Sequence, residues 1–156
     1  MIAKKISDKD RYELRPEKEE KALTCAIGAV DNVEIDDINI LKALFLDMHR
    51  ANDLLKQKPE LLLIDGNRFT PYKKINHQCI IKGDAKFLSI AAASILAKTY
   101  PVDFMKEAAI KHPQYSWQQN MGYPTKKHRD AIRLNGTKNL HRLTFQLLPK
   151  QLSLEL

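Results

Sequence analysis

The sequence predicts an α/β fold, on three observations. Short apolar runs of strand length, at 23–30, 61–64 and 78–81, alternate with longer stretches of helical periodicity. Turn residues stand at the junctions between them. The run Leu61–Ile64 ends in Asp65-Gly66-Asn67, as a strand buried on both faces does where its carboxyl end opens into a turn. Three short strands are few for this many helices, so further strands of the sheet are expected to lie outside the sequence as given.

The elements follow in order. Ser7 with Asp10 three positions on resembles a capping box and starts a helix over 7–22, in which Pro16 is an interruption. Residues 23–30, LTCAIGAV, are short, apolar and partly β-branched, which predicts a strand. From Asp36 or Asp37, apolar residues recur every three or four positions to about Gln57, describing an amphipathic helix that Pro59 closes. Strands at 61–64 and 78–81 follow, the second ended by Gly83-Asp84. A small, apolar, closely packed helix then runs from AKFLSIAAASILAKTY in pattern to Lys111, before His112-Pro113. Thr125 as N-cap and Gly136 as stop bound a last helix.

The 156 residues, 44% of them hydrophobic, suffice for one domain, 1–156, with a real core. The 26 Lys and Arg against 19 Asp and Glu leave a net charge of +7, spread along the chain. That balance suits a polyanion such as nucleic acid, though a merely basic, solvated surface accounts for it equally well. Cys25 and Cys79 sit in apolar runs and are expected as buried or half-buried thiols in a reducing compartment. No stretch approaches the ~20 apolar residues of a membrane span and no signal peptide is present, so the cytoplasm is expected. No protein partner is evident.

Asp65 is the first residue to question. A carboxylate ending an apolar strand stays solvated, is hydrogen-bonded by its turn, or holds a cation, and an Asx turn with Gly66 is the plainer alternative. Asp36 and Asp37 read as helix-start residues, Asp84 as a turn residue, and Asp103 as a residue on a helix. Among five histidines, His128 and His141 follow basic stretches without zinc-type spacing, so solvated or phosphate-facing roles are expected. The segment 114–142 interleaves Tyr115, Trp117 and Tyr123 with Lys126, Lys127, Arg129, Arg133, Lys138 and Arg142. Such a pattern offers stacking and charge to a sugar–phosphate surface, or else a satellite core.

Seven segments in order carry a resemblance: AKKIS (3–7), IDDINIL (35–41), LLIDGN (62–67), KGD (82–84), AAASILAKTY (91–100), HPQYSWQQNMGYPTKKH (112–128) and GTKNLHRLTF (136–145). Together they resemble the bacterial ribonuclease HII family over nearly the whole chain. The resemblance implies a ribonuclease H-like fold lacking its first three strands, with C-terminal helices. It also implies hydrolysis of the RNA strand of RNA–DNA hybrids, and of DNA containing ribonucleotides, by paired Mg²⁺ or Mn²⁺ ions.

Members of the family use four acids: an Asp-Glu pair on the first strand, a third Asp ending the IDGN strand, and a fourth on the helix after the ILAK segment. Asp65 matches the third and is the expected catalytic and metal-binding residue. The first pair, with its Gly-Arg-Gly loop, has no counterpart here. Where the family reads Arg-Asp, this chain reads Pro101-Val102, and a kink or break is expected at the proline. The neighbouring Asp103 is turned by about 100° and does not simply substitute. Lys4, Lys5, Tyr123, His141 and Arg142 match nucleic-acid-binding positions. As an isolated polypeptide the chain is therefore expected to cleave negligibly, with a hybrid or duplex binding module, or a non-functional gene fragment, as the alternatives.

Overall fold

The computed structural model describes residues 6–145 and 147–148. Their contacts group into two compact units, one holding the residues up to Val30 and Leu41–Pro101, the other Asp31–Ile40 and the residues from Val102 onward.

The first unit opens with helix α1, Asp8–Lys21. Its capping box is complete: the Ser7 hydroxyl accepts from the Asp10 amide while the Asp10 carboxylate accepts from the Ser7 amide. Pro16 lies inside α1 without ending it. Its side chains meet the later helix, with Arg15 lying over the Tyr100 ring and the Tyr12 hydroxyl donating to the Thr99 carbonyl.

Residues 23–30 form no strand, contrary to expectation. An apolar run of strand length needs a neighbouring backbone to pair with, and this one lies instead against helix α3, Ile40–Leu54. Arg50 of α3 donates to the Ala29 carbonyl at 2.8 Å, and Thr24 Oγ1 accepts from the Lys56 amide. Gly28 permits the approach, because a Cβ there would stand 2.1 Å from the Asp47 carbonyl oxygen of α3. Gly28→Ala is thus expected to cost about 1–3 kcal/mol, read as a lowered urea midpoint. Cys25 is exposed and only Cys79 is half-buried, so the expectation of two shielded thiols holds for the second alone.

A single helix expected from Asp36 to Gln57 is two. Helix α2, Asn32–Ile38, starts earlier at an Asp31–Glu34 capping box and stops at Asn39, whose φ of 70° separates it from α3.

Strands β1, Leu61–Asp65, and β2, Asn76–Ile80, pair in parallel, with Asp65 opposite Ile80. β1 is buried chiefly on one face, through Leu62 and Ile64, while Leu61 is half exposed. Tyr72, Met48, Phe69 and Ile75 pack on the face that holds Leu62 and Ile64, while the other face is covered in part, with Leu63 half-buried and Ile80 of β2 buried, so the apolar run marks full burial on one face only. The helix-free crossover 66–75 is short for a parallel pair. It is pinned by the buried Tyr72, whose hydroxyl donates to Asp53 at 2.6 Å.

Helix α4, Leu88–Lys111, runs through Pro101, so of the kink or break expected there the break does not occur, and the two compact units divide at that residue. The preceding turn is held by side chains: buried Thr99 donates its hydroxyl to the carbonyls of Ile95 and Leu96.

The second unit is centred on Tyr115 and Trp117, stacked at 5.0 Å and 18°, with Ala108, Ala109, Ala131 and Ile132 around them. Helix α5, Trp117–Asn120, leads through a turn to helix α6, Lys126–Asn135, capped by Thr125 and stopped at Gly136 as expected. Among the described residues no helix is long and apolar enough to cross a membrane.

Candidate carboxylate site and nucleic-acid interface

Parallel pairing places the C-terminal ends of β1 and β2 at one edge of the sheet, and an acid follows each. Asp65 is the last residue of β1 and exposed. Its Oδ1 accepts from the Gly83 amide at 2.8 Å, while the Gly66 amide donates to the Ile80 carbonyl, so the turn that holds Asp65 comes from beyond β2 and is not an Asx turn with Gly66. After β2 the chain passes through Lys82, in the left-handed region at φ 57°, into a single 3₁₀ turn, Gly83–Ala85. That turn must sit close: a Cβ on Gly83 would stand 2.6 Å from Ile90 Cδ1 and 3.4 Å from Asp65 Oδ1.

Asp84, the next residue, is 3% exposed, and its Oδ1 is buried without a hydrogen-bond partner. A buried carboxylate oxygen with no donor is costly unless a cation or a donor from outside completes it. Asp84 is the turn residue that the sequence predicts, but its burial with an unpartnered oxygen is not anticipated there. Parallel pairing of the runs 61–64 and 78–81 brings the Gly83 amide onto Asp65, and Asp84 is the next residue along the chain.

Two carboxylates supply the oxygen donors that a hard divalent cation takes, and the orphaned Oδ1 fits such a ligand. The set is not that of two ions, since among the described residues no three His, Cys, Asp or Glu side chains come together. Val102 and Asp103 are half-buried residues of α4 in the other unit, and Asp103 has an interaction of its own.

In the second unit Tyr123 is 72% exposed, which removes the satellite-core alternative for that ring. Asn120, another residue not anticipated, builds its turn. Buried Asn120 Nδ2 donates to the Tyr115 carbonyl at 2.7 Å and its Oδ1 accepts from the Gly122 amide at 2.9 Å. Met121 and Gly122 are thereby held at positive φ, and exposed Tyr123 follows them, with exposed Lys126 and Lys127 three and four residues on. Tyr115 and Trp117, by contrast, are core, at 0% and 2% exposure.

His141 is not placed to meet a phosphate, which corrects the expected direct role. It is 5% exposed, its ring stacked on His128 at 5.4 Å and 9°, with Tyr115 at 5.0 Å. Both histidines follow basic stretches in sequence yet fall on the inner side of the chain. Burial pushes the pKa of each below the usual 6.5, with backbone hydrogen bonds opposing it, and for His141 the neighbouring His128 and His112 add to the depression. Each unfolded ring then takes a proton near pH 6.5 that the folded ring refuses. The second unit is expected to keep its full stability above that pH and to lose it progressively below, read as urea midpoints at pH 7.5 and 5.5. Equal midpoints would contradict the burial of these rings.

Arg142 is half-buried, its guanidinium 4.1 Å over the Phe145 ring. Nearby, Asp36 of α2 accepts from the Leu143 amide at 2.6 Å and from the amide and hydroxyl of Thr144. It is no helix-start residue. The Thr144 hydroxyl foremost, then these amides and Arg142, hold its carboxyl below the usual range against a smaller opposing effect of burial. Lys4 and Lys5 lie outside the described residues.

The family model described as Ribonuclease HII matches residues 3–148. The Ribonuclease HII of Parabacteroides distasonis is 60% identical over 152 residues, covering 97% of this chain and 76% of the relative. That of Phocaeicola vulgatus is 54% identical over 154 residues, covering 99% and 77%. That of Christiangramia forsetii is 50% identical over 153 residues, covering 98% and 77%. With a parallel pair presenting acids at its mouth, and with a match over nearly its full length, the chain belongs to the ribonuclease HII family.

Proposed function

We propose that this chain serves metal-dependent endonucleolytic hydrolysis of the RNA strand of RNA–DNA hybrids and of ribonucleotides embedded in DNA, in the cytoplasm, with Mg²⁺ or Mn²⁺ as the ion. Asp65 and Asp84 are the acids we assign to the cation, in preference to the 102–103 position of α4. The observation that carries the reading is the orphaned buried oxygen of Asp84 beside the turn that holds Asp65, in a member of this family. Tyr123 offers a stacking face and Arg142 a cation to the nucleic acid. Two free cysteines are in keeping with a reducing compartment.

Cleavage by the 156-residue chain alone is expected to be negligible, because two carboxylates fall short of the donors that a pair of cations needs. A labelled hybrid, and a duplex with one ribonucleotide, incubated with Mn²⁺ or Mg²⁺ test this. Turnover that disappears in Asp65→Asn would establish the enzyme and overturn the expected inactivity.

A second reading, a hybrid-binding module, is favoured by the exposed Tyr123 among lysines. Salt-sensitive binding without cleavage, whose slope against log salt counts the phosphates engaged, supports it. A chain that neither binds nor unfolds cooperatively would overturn both.

A further inference from the structure

Helix α2 carries two side chains, Asn32 and Asp36, that reach the same segment of chain more than a hundred residues later. Asn32 Nδ2 donates to the His141 carbonyl at 3.2 Å, and Asp36 accepts from the amides of Leu143 and Thr144 and from the Thr144 hydroxyl. Four residues apart on a helix, the two side chains share one face, about 6 Å apart along the axis. Residues 141 and 143, two apart along the chain, lie within about 7 Å of each other at full stretch. The spacings match, and Arg142 is the residue between the two points of attachment. All these residues belong to the second unit.

The position of Asp36 is informative for its sign. An acid beside a phosphate-facing arginine opposes the binding of a polyanion through space, so its presence there calls for a gain of another kind. Three hydrogen bonds into one carboxylate fix the backbone on the C-terminal side of Arg142, Asn32 fixes it on the other, and the Phe145 ring beneath the guanidinium limits its remaining freedom.

We propose that Asn32 and Asp36 form a clamp that positions Arg142 for the nucleic-acid backbone, Asp36 acting as a positioning residue and not as a ligand of substrate or metal. The inference rests on the assignment of Arg142 to nucleic acid. It states that an arginine contact is set by a helix remote in sequence, at an electrostatic cost that the ordering offsets.

Fluorescence anisotropy of a labelled RNA–DNA hybrid, with thermal midpoints recorded in parallel, tests the clamp on the whole chain. Arg142→Ala is expected to weaken binding about tenfold. Asp36→Asn removes a negative charge at constant shape, so electrostatics alone would tighten binding, whereas the clamp requires it to weaken, by about threefold or more. Asp36→Ala added to Arg142→Ala should cause no further loss, since the first acts through the second. If Arg142→Ala weakens binding while Asp36→Asn leaves it equal or tighter, the clamp is overturned and the assignment of Arg142 stands. If Arg142→Ala is without effect, that assignment fails and the clamp's purpose with it. Should Asp36→Asn lose its thermal transition, Thr144→Val decides, since it removes only the hydroxyl donor: weaker binding supports the clamp and unchanged affinity overturns it.

Discussion

Trp117→Ala is expected to destabilise the protein by about 3–5 kcal/mol, the cost of emptying a large aromatic site that its surroundings cannot refill. Trp117 is 2% exposed, stacks on Tyr115, and lies 6.4 Å and 5.5 Å, ring to ring, from His128 and His141. Removing it strips one side from these three rings at once. Against a total stability of about 5–15 kcal/mol for a domain, that loss leaves little. Since this is the only tryptophan, the measurement is a urea transition followed by circular dichroism. Hybrid binding should fall with it, because Asn120, which shapes the Tyr123 turn, is anchored on the Tyr115 carbonyl. A shift below about 1 kcal/mol would mean that the core of this unit lies elsewhere.

Asp84→Asn carries the second large effect, and its direction is unusual. A buried turn acid that serves the fold would cost about 1–3 kcal/mol on losing its charge and bonds. The Oδ1 of Asp84 has no bond to lose, and a buried polar atom without a partner is itself unfavourable. Stability in chelator is therefore expected to be unchanged or higher in Asp84→Asn, while any rise in thermal midpoint on adding Mn²⁺ disappears. Asp65→Asn keeps an oxygen for the Gly83 amide, so it too should fold and lose the metal response. A clear destabilisation of Asp84→Asn in chelator, with the Mn²⁺ response retained, would assign Asp84 to the turn.

Local signals read well from sequence because their physics is local. Ser7 with Asp10, and Thr125 with Gly136, fix helix ends through contacts a few residues long, and both ends lie where the pattern puts them. Where the outcome depended on a distant partner, the pattern misled. Residues 23–30 have strand composition but meet a helix. His128 and His141 look like surface residues among lysines and arginines until α6 and the 138–141 turn bring their rings together.

The site divides along the same line. Asp65 was legible because an acid ending an apolar run is conspicuous by itself. Asp84 was not, since its meaning comes from the parallel register of β1 and β2 and the close turn at Gly83. Asn32 and Asp36 were beyond reach, acting on a segment 107 residues away.

Whether Asp65 and Asp84 serve one cation is decided by titrating Mn²⁺ into isotope-labelled protein while watching backbone amide resonances. Paramagnetic broadening centred on Asp65, Gly83 and Asp84, lost in both Asp65→Asn and Asp84→Asn, is the expected result. Broadening centred on Asp36 or Asp130, or spread evenly over the acidic surface, would contradict it.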